Sequence, residues 1–234
     1  MASHIELNGV RTWYDERNEG DPLVLLHPGG ADAQAWSPQL DALKNFHLYL
    51  PERRGHGHTP DTEGPLSHEL MAQDTIAFLE HKSGPAPLVG CSDGATVALV
   101  TAVRRPDLVN KLVLVCGVFH HDGWAPGVIP PLDGLTGFEA KLTAMHHVSP
   151  ALTPDDLRAL PNRTLVMVGD DDEVRLEHAI AMYRALPDAE LAVVPGTSHG
   201  LLWEKPDLCN GMIVDFLAND PVPTFAPIRR RSVT

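Results

Sequence analysis

A chain of 234 residues is long enough for one sizeable domain, because single cores stop growing at about 250–300 residues. With 43% hydrophobic and 21% charged residues it reads as globular, and no apolar run approaches the roughly 18 residues of a membrane span. A formal charge of -13, from 31 acidic against 18 basic side chains, repels phosphate backbones and anionic lipid, so neither nucleic acid nor membrane is an expected partner. The opening MASHIELNGV has neither a basic leader nor an apolar h-region, which gives a cytoplasmic expectation. Cys91, Cys116 and Cys209 are odd in number and scattered, the pattern of reduced, buried thiols rather than of a zinc or redox motif.

In chain order, HIELNGVRTWYDE alternates around Asn8-Gly9, a type I′ dipeptide, and predicts a leading antiparallel hairpin. Short apolar runs follow: LVLL at 23–26, FHLYL at 46–50, PLVG at 87–90, LVLVC at 112–116, TLVMV at 164–168 and LAVV at 191–194. Such runs suit strands buried on both faces. Between them, 69–82, 94–104, 175–186 and 207–218 carry apolar residues at i, i+3 and i+4. The alternation predicts an α/β domain whose mainly parallel central sheet has helices on both faces. Residues 117–162 break the rhythm with the Gly/Pro-rich GVFHHDGWAPGVIPPLDGLTG, and predict a short lid insertion. Within it, FEAKLTAMHH predicts one helix, and TPDDLRAL a second with Thr153 as N-cap and Pro154 at its first position. The expected organisation is a core of 1–116 and 163–220, a lid of 117–162 and a C-terminal tail of 221–234, whose Arg229, Arg230 and Arg231 read as a mobile or surface-docked terminus.

Gly90-Cys91-Ser92-Asp93-Gly94 is a G-x-S-x-G sequence after a strand and before a helix, which exposes the serine on a strained turn above the carboxyl edge of the sheet. The Asp93 amide then lies at a helix N-terminus, where developing negative charge is favoured. Serine needs a base. Of 13 histidines, His199 alone lies on a Gly-flanked loop between the last strand and the last helix. His120, His121, His146 and His147 fall in the insertion, where solvated or lid positions are expected. In VMVGDDDEV, directly after a strand, Asp172 is the favoured partner for the imidazole and Asp171 its competitor. Asp170, Asp171 and Glu173 are otherwise expected to be solvated or to cap a helix starting near Val174. HPGG at 27–30 offers a second oxyanion amide from Gly29, with Gly30 as the alternative, while His27 hydrogen-bonds within its loop. Gly30, Trp36, Trp124 and Leu201, with Phe119, Phe138 and Met145, are candidates for an apolar pocket, against a reading of the side chains as core or lid packing.

HPGG, ERRGHGHT (52–59), GCSDGA, GDDD and GTSHG, in that order, resemble the marks of α/β-hydrolase fold serine hydrolases of the esterase-like, lid-bearing branch, over nearly the whole chain. Pro28 stands where the family pattern has glycine, and the insertion is shorter than the usual lid. The SDG of the elbow is similar to the branch containing valacyclovir-hydrolase-like esterases, and the glycine-rich 54–58 loop is expected to be a structural turn. The resemblance implies a Ser92, His199, Asp172 triad that cleaves a small to medium carboxylic ester through an acyl-enzyme, without metal or organic cofactor. A C–C, amino-ester or lactone substrate on the same fold stays open, as does a non-catalytic ligand-binding protein. Serine at the elbow argues against the dehalogenase and epoxide hydrolase branches, which place aspartate there. No segment specifies an oligomeric interface.

Overall fold

Asn8 and Gly9 adopt φ 48° and 79°, the pair of positive values a type I′ turn demands, so β1 (Ser3–Leu7) folds back on β2 (Val10–Arg17) with Leu7 opposite Val10. The computed structural model describes residues 2–227, so Arg229, Arg230 and Arg231 lie outside the described residues. After the hairpin come β3 (Asp21–Leu26), β4 (Phe46–Pro51), β5 (Ala86–Cys91), β6 (Val109–Val115), β7 (Arg163–Gly169) and β8 (Ala189–Val194). They join one eight-stranded sheet in the order β1-β2-β4-β3-β5-β6-β7-β8. Pairing is antiparallel up to β2–β4 and parallel from there on.

Parallel strands covered on both faces have no polar side, which is why Leu23 to Leu26 are continuously apolar and fully buried. Among the described residues, seven α-helices surround the sheet: α1 (His68–Phe78), α2 (Asp93–Arg104), α3 (Gly137–Val148), α4 (Pro154–Arg158), α5 (Leu176–Ala185), α6 (Leu201–Glu204) and α7 (Pro206–Ala218). Among the described residues, no helix is long and apolar enough to cross a membrane. α2 packs on β3, β5, β6 and α1, and α5 on β7 and β8. Ser67 caps α1 by accepting the Leu70 amide, and Thr153 with Asp156 forms a reciprocal capping box on α4.

Three details depart from the sequence reading. The helix expected over 69–82 ends at Phe78 in a single π turn, Leu79–Ser83. α5 starts at Leu176, two residues beyond Val174, so Asp170, Asp171 and Glu173 take the solvated setting of the two expected and none caps the helix. A 3-10 segment, Ala33–Gln39, and the four-residue α6 were not anticipated, since neither is long enough to show a helical period.

Within the 117–162 segment, α3 lies over the carboxyl edge of the sheet. Phe138 meets His56 edge-on with ring centroids 4.9 Å apart, and Leu142 lies beside Gly30. The loop after β4 is tied down separately. Arg54 grips Asp74 of α1 through two bonds of 2.7 and 2.8 Å, and Asn8 of the hairpin turn donates to the same carboxylate at 2.9 Å. This buried pair joins the hairpin, the β4 loop and α1. Breaking one partner leaves the other charge uncompensated, so Asp74→Ala is expected to lower unfolding free energy by about 3–5 kcal/mol in urea denaturation. A loss below 1 kcal/mol would mean the guanidinium reaches water unaided.

Candidate active site

Ser92 follows the last residue of β5 and precedes the first of α2, with φ 55° and ψ -120°. A non-glycine residue in that region is strained by about 1–3 kcal/mol, and the neighbours make the turn feasible. A Cβ on Gly90 would run into the backbone of Gly94 and Ala95, and one on Gly94 into the Leu26 carbonyl of β3. The Ser92 amide donates to Val115 O at 2.8 Å, while its carbonyl accepts from Ala95 and Thr96 and so opens the helix.

The turn aims the hydroxyl at an imidazole from the loop between β8 and α6. Ser92 Oγ lies 2.9 Å from His199 Nε2, and His199 Nδ1 lies 2.7 Å from Asp172 Oδ1. Asp172, with its side chain 1% exposed, is the acid that meets the ring; Asp171 is exposed. The loops after β7 and β8 are stitched together, since the Asp171 amide donates to Thr197 O and Asp170 Oδ1 accepts the Thr197 amide. Asp172 Oδ2 accepts from the Gly169 amide at 3.0 Å and from the Cys116 thiol at 2.9 Å, while Oδ1 also accepts from the Val174 amide. Burial opposes ionisation of Asp172, yet these donors together with His199 hold its carboxyl below the ordinary range. Burial likewise opposes protonation of His199, but the Asp172 hydrogen bond and charge outweigh it and raise the imidazole above its usual 6.5.

The HPGG loop after β3 runs beside the elbow. Gly29 is pressed on the Asp93 side chain so closely that a Cβ there would overlap the carboxylate, whereas Gly30, at φ 67°, has only Leu142 within reach. The Asp93 amide, at the first position of α2, makes no backbone hydrogen bond among the described residues. His27 is neutral, because burial pushes its pKa well down. Its Nε2 accepts the Arg53 amide at 3.1 Å, which leaves Nδ1–H to donate to Pro28 O at 2.7 Å. Pro28 therefore costs the loop an amide but turns its carbonyl into a brace, which Arg53 Nη2 also grips at 3.0 Å.

The sequence singled out Asp93 for its amide alone, yet its side chain is the centre of a buried network. The carboxylate, 1% exposed, accepts at Oδ1 from His146 Nε2 at 2.7 Å and lies 3.3 Å from His68 Nε2. His146 lies in the insertion as expected, but of the two expected settings it does not take the solvated one: its ring reaches down from α3 to Asp93 at the sheet edge. Three donor atoms of His68, Asp93 and His146 lie within 4.8 Å of one another, the spacing of a metal site. The buried Arg53 cation beside Asp93 opposes a divalent ion there.

Of the pocket candidates, Trp124 lies 5.8 Å from His199 and 6.0 Å from His146 between ring centroids. Trp36 and Leu201 are corrected: at 1% and 0% exposed they belong to the main core and offer no surface to a ligand. Short turns seat large apolar side chains inward, whatever lies nearby in sequence. Phe119 stacks on His178 at 4.2 Å, and Met145 is buried under α3.

Residues 21–132 match the family model described as alpha/beta hydrolase fold. A pimeloyl-[acyl-carrier protein] methyl ester esterase of Klebsiella pneumoniae is 37% identical, across 81% of this chain and 68% of that protein. An (E)-2-((N-methylformamido)methylene)succinate hydrolase of Acinetobacter baylyi is 33% identical, but the match spans 51% of this chain and only 46% of that protein. Among solved structures, the enol-lactonase from Burkholderia xenovorans LB400 has a TM-score of 0.81 at 20% identity, covering 93% of this chain and 100% of its own. On the sheet order, the elbow and these matches, the chain belongs to the α/β-hydrolase fold family and has the fold of a hydrolase.

Proposed function

We propose that this protein is a serine hydrolase that cleaves small to medium hydrophobic carboxylic esters through an acyl-enzyme on Ser92. The observation that carries the reading is the continuous line of hydrogen bonds from the Ser92 hydroxyl through His199 to Asp172, at 2.9 and 2.7 Å. His199 takes the Ser92 proton as Oγ attacks the ester carbonyl, and Asp172 fixes the tautomer that leaves Nε2 free to accept it. The amides of Gly29 and Asp93 face the oxyanion, each worth roughly 10²–10³ in rate. His199 then protonates the leaving alcohol, and water repeats the sequence on the acyl-enzyme. Every proton and charge is handled by these side chains and amides, so the chemistry requires no metal or organic cofactor.

In this reading the 117–162 segment is the lid, with Trp124 and Gly30 on the substrate side. A methyl ester esterase among the relatives supports the ester class. The buried, unpaired Cys91, Cys116 and Cys209 fit a cytoplasmic setting. A second reading, hydrolysis of a succinate-type substrate with the same parts, is favoured by the Acinetobacter relative. Product analysis on simple esters and on a formamido-methylene succinate separates the two.

An ester panel of graded acyl length is expected to show turnover by the native chain and labelling by a fluorophosphonate. Ser92→Ala should lose both with its circular dichroism spectrum intact; a native chain that neither turns over nor labels would make the protein a binder. The pH profile follows from His199. Only the neutral ring accepts the serine proton, so kcat/KM should rise with pH along a limb whose midpoint lies above 6.5. Asp172→Asn removes the anion that raises the imidazole, so the midpoint should move down while kcat falls by roughly 10⁴. An unmoved midpoint would show that Asp172 does not set the base.

A further inference from the structure

We infer that His146 is a positioning residue for the oxyanion site, holding the Asp93 carboxylate in place beneath Gly29 so that the two amides stay aimed at the same point. The inference rests on the serine-hydrolase reading. Asp93 is in a peculiar position: its amide is one proposed donor, and its side chain is the surface on which the other donor's residue rests. Oδ2 has no hydrogen-bond partner among the described residues and abuts the Gly29 Cα. The orientation of the carboxylate is therefore decided at Oδ1, by His146 at 2.7 Å and His68 at 3.3 Å.

The two imidazoles are not equivalent. His68 sits at the start of α1, almost fully buried, and is itself fixed by Ser149 Oγ at 2.8 Å from Nδ1. Its Nε2–H points at Asp93 when Nδ1 accepts from that hydroxyl. His146 makes the shorter bond and comes from α3, so the seating of the lid helix is transmitted directly to the residue after the nucleophile. The bond also has an electrostatic use. A bare carboxylate next to a developing oxyanion repels it, and two N–H donors on Oδ1 with Arg53 nearby draw that charge away. Removing the donor thus acts on the transition state more than on substrate binding. A simple structural anchor for α3 would behave otherwise, loosening the lid and raising KM.

The test uses the full chain with the best ester of the panel. His146→Phe keeps the ring volume beside Trp124 and His68 but has no donor, His146→Gln restores an N–H donor, and His147→Ala is the neighbouring control, whose exposed ring bonds Pro130 O and not Asp93. His146→Ala replaces the Phe variant if that one does not fold. The loss variant is expected to lower kcat by roughly 10- to 100-fold, in line with a misplacement of an ångström or less, with KM within threefold. Affinity for an aryl trifluoromethyl ketone, whose adduct on Ser92 puts an oxyanion in the site, should fall by the same factor. The matching methyl ketone should be unaffected, His146→Gln should recover to within a few-fold, and His147→Ala should match the native chain. An active native enzyme whose loss variant keeps kcat and ketone affinity, or only raises KM, overturns this inference alone. A native chain without turnover or fluorophosphonate labelling overturns the serine-hydrolase reading, and this inference with it.

Discussion

The left-handed backbone at Ser92 is the constraint from which the rest of the site follows. Its strain, about 1–3 kcal/mol, is held by contacts that exist only because the surrounding sheet is parallel and buried. Close packing of α2 on β3 requires position 94 to lack a side chain, since a Cβ there meets the Leu26 carbonyl. The same closeness brings the loop that continues β3 alongside the first residue of α2. Gly29 and Asp93, more than sixty positions apart in sequence, become neighbours because β3 and β5 are adjacent strands. The two glycines of the G-x-S-x-G sequence are therefore packing requirements first, and the proposed chemistry rests on them.

Two buried carboxylates flank the elbow and are treated differently. Asp172 has donors on both oxygens: His199 and the Val174 amide on one, the Gly169 amide and the Cys116 thiol on the other. A carboxylate so surrounded stays ionised in spite of burial and lends its charge to one imidazole. Cys116 suits its place because burial pushes its thiol well up, which keeps the proton on sulfur and the S–H a donor. Asp93 is also held well below the carboxylate range; burial works against this, and the hydrogen bonds and charge interactions of His146 and His68 outweigh it. Its charge is confined to one oxygen's partners while the other faces a glycine. One anion raises the imidazole it touches, and the other is kept quiet beside what the proposed mechanism makes the oxyanion site.

The strands were legible because burial on both faces leaves a continuous apolar run, and each of the six runs read from the sequence is a strand in the sheet. The hairpin was legible because Asn-Gly supplies two positive φ values. Ser92, His199 and Asp172 could be picked out because each lies just beyond a strand end, in turn chemistry that local sequence encodes. The partners of Asp93 were not, since His68 and His146 lie 25 and 53 positions away and no local pattern marks a contact across that distance. Trp36 and Leu201 misled for the related reason that proximity in sequence to HPGG or to His199 says nothing about which way a short turn faces. A histidine near the C-terminus of the helix expected within the insertion, spaced to face the sheet edge, was the one available hint of His146.

What brings three distant loops within hydrogen-bonding reach is that the parallel ladder does not stop at the strand ends. Ser92 N bonds Val115 O at 2.8 Å, Cys116 N bonds Met167 O at 2.9 Å and Asp170 N bonds Val194 O at 3.3 Å, each one residue past its own strand. The first residues of the loops after β5, β6 and β7 are thereby set by the register of β5, β6, β7 and β8 before any side chain is placed. Cys116 pays for its place in that ladder with φ 53°, a second left-handed non-glycine residue one strand away from Ser92. That turn directs its thiol toward Asp172. The line from hydroxyl to imidazole to carboxylate is in this sense a continuation of the sheet, and a shift of β5, β7 or β8 by a single residue would break it.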